Sequence, residues 1–146
     1  MDPSTETINR ILRACVPRRR RWPTIAELAQ AVAHALRADA AGDVWRLVGE
    51  FIDDDRGADD RELMLVIADP PTSTGEPRAD ALAAALAEHL CTRRGLVPPA
   101  WTQSAPEVTP WWFVAGDAYR ALALRDSPPS FARRGIFVTA GALERV

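Results

Sequence analysis

Residues 78 to 94 read RADALAAALAEHLCTRR, and this stretch decides the fold. Leu82, Leu86 and Leu90 recur every four residues, which places them on one face of a helix. The alanines around them are small, so they allow a second helix to approach closely. Gly95 follows as the predicted C-terminal cap. We therefore expect a long, alanine-rich helix over Arg78 to Arg94.

The residues before this helix also have helical periodicity. Thr24 to Glu27 form a capping-box pattern directly after Pro23, which predicts a helix start. The apolar stripe behind it contains Ile25, Leu28, Ala29, Val32, Ala35 and Leu36. A further helix is predicted from about Asp43 to Ile52. Another should follow Asp59, which has N-cap spacing to Glu62.

The two ends of the chain differ in their predicted structure. A first short helix is predicted between the N-terminus and Pro17, with apolar residues on one side: Ile8, Ile11, Leu12 and Cys15. Residues 98 to 113 mix prolines with aromatic residues and are expected to be irregular. A helix is predicted over Asp117 to Arg125. Two short strands, around Trp112 to Ala115 and Ile136 to Thr139, could pair.

These elements predict a mainly α fold: a compact multi-helix domain with a proline- and tryptophan-rich irregular segment and a short two-stranded β element near the C-terminus. A chain of 146 residues is long enough for one such domain. We expect a single domain over residues 1–146, with a helical N-terminal half (1–68), a turn-rich connector (69–77) and a C-terminal half (78–146).

Several functional classes lack sequence support. Cys15 and Cys91 fit no disulfide framework or zinc spacing, so no metal or cofactor is expected. The polar N-terminus has no signal-peptide pattern, and no apolar run approaches the ~20 residues of a membrane span. We expect a cytoplasmic protein that does not bind membranes. No catalytic motif is present. A dispersed active site would require a pocket where His34 or His89 meets carboxylates.

The charge is distributed unevenly along the chain. All 18 basic residues are arginine, against 20 acidic residues and a net charge of −2. Residues 1 to 23 hold six arginines and two acids, whereas residues 39 to 62 hold nine acids and three arginines. The near neutrality of the whole chain therefore results from cancellation between a basic and an acidic segment.

The basic segment contains the run Arg18, Arg19, Arg20, Arg21 and Trp22. Such a run can contact several phosphates, with the indole stacking on a base, so it is a candidate nucleic-acid site. It can equally be solvated, or pair with the acidic segment of the same chain. A chain pI near 5.7 argues against a dedicated nucleic-acid binder.

The acidic segment contains five aspartates within eight residues: Asp53, Asp54, Asp55, Asp59 and Asp60. Metal-dependent phosphoryl transfer needs carboxylates on a rigid element, usually with a phosphate-binding glycine loop, and neither accompanies this cluster. The pattern is typical of a hydrated loop between helices with N-cap aspartates. The alternative is a partner-binding surface that faces the basic residues of another protein.

The aromatic residues concentrate near the C-terminal end. Trp101, Trp111 and Trp112 are the candidate partner-binding aromatics, with Phe113 and Tyr119 nearby. Tryptophan dominates interface hot spots, but clustered aromatic residues are more often core. We expect most of this cluster to be buried and at least one tryptophan to be exposed for a partner.

Five segments together resemble a known module. They are Pro70 to Gly75, Arg78 to Leu90, Pro99 to Trp101, Pro110 to Phe113 and Ser127 to Val138. The pattern is similar to a helical module of actinobacterial proteins that often follows a helix-turn-helix of the XRE class. Such proteins resemble antitoxins paired with a nucleotidyltransferase-type toxin, and the likeness covers about residues 43 to 146.

The N-terminal half departs from the XRE pattern, because Thr24 to Ala29 begins like such a domain but no separate recognition helix is predicted after a short turn. The resemblance implies a non-enzymatic, antitoxin-like protein that binds and neutralises a toxin encoded nearby. The alternative is a DNA- or RNA-binding transcriptional regulator that uses Arg18 to Arg21.

Overall fold

The computed structural model describes residues 23–143, and over these residues the fold is mainly α, as predicted. The α-helices are α1 (Ile25–Arg37), α2 (Ala41–Arg56), α3 (Asp60–Ile67), α4 (Pro77–Arg93), α5 (Arg120–Asp126), α6 (Pro129–Ala132) and α7 (Ala140–Leu143). Short 3-10 helices cover Ala100–Ser104 and Asp117–Tyr119, and the strands are β1 (Trp112–Phe113) and β2 (Ile136–Phe137). The predicted first helix lies outside the described residues.

Both predicted capping boxes are present. The Thr24 hydroxyl accepts the backbone N–H of Glu27 at 3.2 Å, and the Glu27 carboxylate accepts the N–H of Thr24. The Asp59 carboxylate accepts the backbone N–H of Glu62 at 2.8 Å, and the Glu62 carboxylate accepts the backbone N–H of Asp59. Each pair satisfies two backbone donors that a helix start leaves without partners. Local sequence therefore fixes where α1 and α3 begin.

Helix α2 is longer than predicted. It was expected to end near Ile52, but it continues to Arg56, so Asp53, Asp54 and Asp55 lie in its last turn and not in a hydrated loop. The extra turn is stabilised because the guanidinium of Arg94 donates to the carboxylate and the carbonyl of the buried Asp55. The ion pair of Asp53 with Arg56 also adds i, i+3 support on the outside.

The core is organised around α4. Ten residues of this helix are buried, including the predicted leucines Leu82, Leu86 and Leu90. Helix α1 packs against both α2 and α4, and α6 also packs against α4. A helix that is apolar on most of its surface must be covered on several sides. Helix α4 meets this requirement, because more than one helix packs against it. Among the described helices, none has both the length and the apolar character needed to cross a membrane.

The predicted pairing of the two strands is confirmed. Strands β1 and β2 are parallel, with Trp112 opposite Ile136 and Phe113 opposite Phe137. The paired region is shorter than the predicted strands, with two residues on each side. The rings of Phe113 and Phe137 stack at a centroid distance of 5.1 Å. This small sheet holds the tryptophan-rich segment against the C-terminal residues.

Candidate functional site

A groove runs between the connector and the tryptophan-rich segment. It consists of two adjoining cavities of about 450 and 570 Å³ that share Pro77 and Pro106 in their walls. Trp101 lines the first cavity, and Trp111 and Trp112 line the second. The structure thus brings all three predicted partner-binding tryptophans to one groove, here called the tryptophan groove. Its two volumes fall in the range of sites that bind ligands.

The connector forms one wall of the tryptophan groove and is held by Asp80. One carboxylate oxygen of Asp80 accepts from the backbone N–H of Thr74 at 3.1 Å and from the Thr74 hydroxyl at 2.8 Å. The other oxygen accepts from the Ser73 hydroxyl at 3.2 Å. The Arg37 guanidinium of α1 donates to the Thr74 carbonyl. These bonds fix the connector in place, although its prolines exclude a regular element.

The opposite wall is fixed by backbone and indole hydrogen bonds. The Trp101 indole N–H donates to the carbonyl of Ile67 at 2.9 Å. The backbone N–H of Trp112 donates to Gly135 and that of Val108 donates to Arg134, both at 2.8 Å. Both walls of the tryptophan groove are therefore held by hydrogen bonds within the protein.

A buried arginine supports this wall from below. Arg134 is 5% exposed, and it donates to the Glu88 carboxylate at 2.5 Å and to the carbonyls of Ser130 and Thr102 at 2.7 Å. Arg133 donates to the same Glu88 oxygen from the protein surface. This network joins α4, α6 and the 3-10 helix at Ala100–Ser104. It positions Trp101 next to the helix that carries Asp80.

The three tryptophans differ in exposure. Trp101 and Trp112 are half-buried, whereas Trp111 is 58% exposed and rests on the ring of Phe137 at 5.0 Å. The Arg78 guanidinium lies over the Trp112 ring, 5.6 Å from its centroid. Arg78 also donates to the Glu76 carboxylate at 3.0 Å. The most accessible ring of the tryptophan groove is therefore that of Trp111.

Arg94 binds two of the five predicted acidic residues. Arg94, the C-cap of α4, donates to the carboxylates of Asp55 and Asp60, each at 2.9 Å. It also donates to the carbonyls of Asp55 and Ala58. Burial raises the pKa of Asp55, and the opposing attraction of Arg94 is the smaller effect. Arg94 thereby closes the turn between α2 and α3.

The other three predicted acidic residues do not pair with Arg94. Asp59 is the N-cap of α3, and Asp53 lies 3.6 Å from Arg56. Burial, together with the negative charges of Asp53 and Glu50, raises the pKa of Asp54. Glu50, Asp53 and Asp54 thus form a small acidic patch at the C-terminal end of α2, in which Glu50 pairs with Arg46 and Asp53 with Arg56.

The two histidines are in different environments. His34 is exposed on α1, whereas His89 is half-buried with its ring edge against Phe131. Burial, helped by the charge of Arg93, lowers the pKa of His89 to about 4. Its cavity of about 100 Å³ is also lined by Arg93 and Asp126. That volume is well below the usual range for a substrate pocket.

The remaining predicted site residues, Arg18, Arg19, Arg20, Arg21 and Trp22, lie outside the described residues. Within residues 23–143, no group of three or more histidine, cysteine, aspartate or glutamate side chains is placed to hold a metal ion.

Sequence reasoning missed the role of the connector in the site. We interpreted residues 69–77 as a boundary, but they form a wall of the tryptophan groove. The available signal was that prolines are concentrated in both the connector and residues 98–110, since rigid segments of this kind can face each other across a groove.

Comparison of the chain with protein-family models, curated proteins and solved structures finds no match.

Proposed function

We propose that this protein is a non-enzymatic interaction module, antitoxin-like, that binds and neutralises a toxin encoded nearby, and that the tryptophan groove is its main contact surface. The observation that carries the proposal is the convergence of Trp101, Trp111 and Trp112 on one preformed groove. Tryptophans in such positions supply much of the binding energy of protein interfaces. Because the walls are already held in place, the protein loses less conformational entropy when a partner binds.

The acidic residues contribute less to this contact than their number implies. Arg94 already binds Asp55 and Asp60, so these two carboxylates support the fold. In the patch of Glu50, Asp53 and Asp54, the first two pair with Arg46 and Arg56, and burial together with their negative charges raises the pKa of Asp54. A basic partner surface relieves this repulsion and speeds association. The proposed mechanism is occlusion of a basic cleft of the toxin.

Co-expression with the neighbouring open reading frame tests the proposal. A tagged copy of the full chain should co-purify with the product of that frame and should restore growth when the product is toxic. Trp111→Ala should weaken the complex at least about tenfold, as expected for a hot-spot residue. Val97→Ala is the matched control, since Val97 is 84% exposed and lies outside the groove. Failure both to co-purify and to restore growth would overturn the proposal.

The alternative function, nucleic-acid binding, is favoured by the run of four arginines at Arg18 to Arg21. Contacts to phosphates release counterions, so binding to duplex DNA should then weaken steeply with salt. Replacement of the four arginines by alanine should flatten that dependence. An unchanged salt dependence would reject this alternative. Trp111→Ala should leave nucleic-acid binding unaffected, which separates the two functions in the same protein.

A further inference from the structure

We infer that the tryptophan groove binds an extended, proline-containing peptide segment with a basic residue, in the polyproline II conformation. This deepens the proposed function, because it names the chemistry of the partner segment that the groove accepts. The inference rests on three properties of the groove: the hydrogen-bonding groups of its walls, its aromatic rings and its charge.

The walls of the groove offer few backbone donors. Five of the lining residues are prolines, which have no N–H group: Pro70, Pro71, Pro77, Pro106 and Pro110. A peptide that added a β-strand would need a row of backbone donors and acceptors along one wall. The polyproline II helix has no internal hydrogen bonds and keeps its backbone solvated, so it needs only isolated donors from its receptor.

Isolated donors are present at one end of the groove. The indole N–H groups of Trp111 and Trp112 donate to no acceptor among residues 23–143, whereas the indole of Trp101 is already bonded to Ile67. Trp111 is 58% exposed, the Trp112 indole nitrogen is not among the buried unpartnered atoms of that part of the chain, and both residues line the groove. Their rings can pack against proline rings while the N–H groups bind peptide carbonyls, which is how aromatic-lined grooves recognise polyproline II segments.

The charge of the groove selects a basic residue on the peptide. Its lining contains three carboxylates, Glu76, Asp80 and Glu107, against the single cation Arg78. Arg78 is already bonded to Glu76, and Asp80 accepts from Ser73 and Thr74. Glu107 is exposed and has no ion-pair partner within residues 23–143. An arginine or lysine of the peptide can therefore pair with Glu107 next to the exposed face of Trp111.

The test is a titration of the full chain with a short, capped peptide of prolines flanked by arginines. Binding is measured by tryptophan fluorescence and by calorimetry. Saturable binding is expected. Replacement of the prolines by alanine, or of the arginines by glutamate, should weaken it at least about tenfold. Trp111→Ala should have an effect of the same size. Glu107→Gln should weaken binding about threefold and reduce its salt dependence, because it removes one screened charge pair.

Val97→Ala serves as the control and should bind like the unaltered protein. The inference is overturned if the proline peptide does not saturate, if the alanine peptide binds equally well, or if Trp111→Ala and Glu107→Gln both leave binding unchanged. If the peptide fails to bind while the chain still co-purifies with the neighbouring gene product, the inference falls and the proposed function stands. If the peptide binds and no toxin is found, the groove assignment stands without the antitoxin function.

Discussion

Arg134 and Glu88 meet in the interior of the protein, with a guanidinium nitrogen 2.5 Å from a carboxylate oxygen. The side chain of Arg134 is 6% exposed and that of Glu88 is 14% exposed. Removal of two charges from water is costly, and the cost is offset only when the remaining donors are also bonded. Arg134 meets that condition through the carbonyls of Ser130 and Thr102. The pair therefore joins three elements beneath the tryptophan groove.

Arg134→Ala should lower the free energy of unfolding by about 3 kcal/mol or more, because it leaves the largely buried Glu88 carboxylate with only the surface Arg133 as donor and removes the guanidinium from two carbonyls. Arg133→Ala is the matched control, since Arg133 binds the same Glu88 oxygen but its side chain is 47% exposed. An exposed ion pair contributes less than about 1 kcal/mol. Urea unfolding of the two variants measures the difference. Equal losses would show that burial of Arg134 has no energetic role.

The helices were predictable where their signals are local. Thr24 and Asp59 each lie three residues from the glutamate that completes the capping box, so no tertiary information is needed to place α1 and α3. The end of α2 was not predictable in this way. Its last turn depends on Asp55, whose partner Arg94 lies 39 residues further along the chain. An aspartate run between two helices gives no local sign of such a partner.

Stability should depend on pH through His89. Its pKa is about 4 in the folded protein, below the ordinary value of 6.5, so the unfolded chain binds the proton more tightly. The resulting stabilisation is complete above about pH 6.5 and is lost as the pH falls from about 6.5 to about 4. His89→Asn should reduce the decrease in unfolding free energy between pH 7 and pH 5. The same measurement on His34→Asn, at an exposed position, should follow the unaltered protein; identical curves for both variants would contradict this prediction.

Gly135→Ala should destabilise the protein by about 2 kcal/mol or more. Gly135 has a φ of +77°, in the left-handed region that disfavours a Cβ atom, and the added carbon would overlap the Val108 carbonyl. Gly42→Ala is the control, because Gly42 lies in α2 with nothing within 4 Å of its Cβ position. It should leave stability unchanged or raise it by up to about 1 kcal/mol. The midpoint temperature of thermal unfolding should fall for Gly135→Ala, and it should stay the same or rise for Gly42→Ala. Equal midpoints for the two variants would contradict the prediction.

The composition of the site was partly predictable and its assembly was not. The richness in tryptophan and proline marked residues 98–113 as a candidate interface, and the structure places Trp101, Trp111 and Trp112 on one groove. The other wall comes from the connector, which reaches the groove because α4 begins at Pro77 and carries Asp80 in its first turn. Pairing across a groove of this kind depends on tertiary packing, which single-segment patterns do not encode.

Asp80→Ala should affect both stability and binding, because it removes the acceptor for the backbone N–H and hydroxyl of buried Thr74. Loss of a partner for such donors costs about 1–3 kcal/mol. A connector released from α4 also widens the tryptophan groove, so the affinity for the proline peptide should fall about tenfold or more. Asp80→Asn keeps a side-chain carbonyl oxygen as acceptor and should lose much less of both. Asp69→Ala, at an exposed position of the connector, should change neither. If Asp80→Ala and Asp69→Ala unfold at the same urea concentration and bind the peptide equally, Asp80 does not hold the wall of the groove.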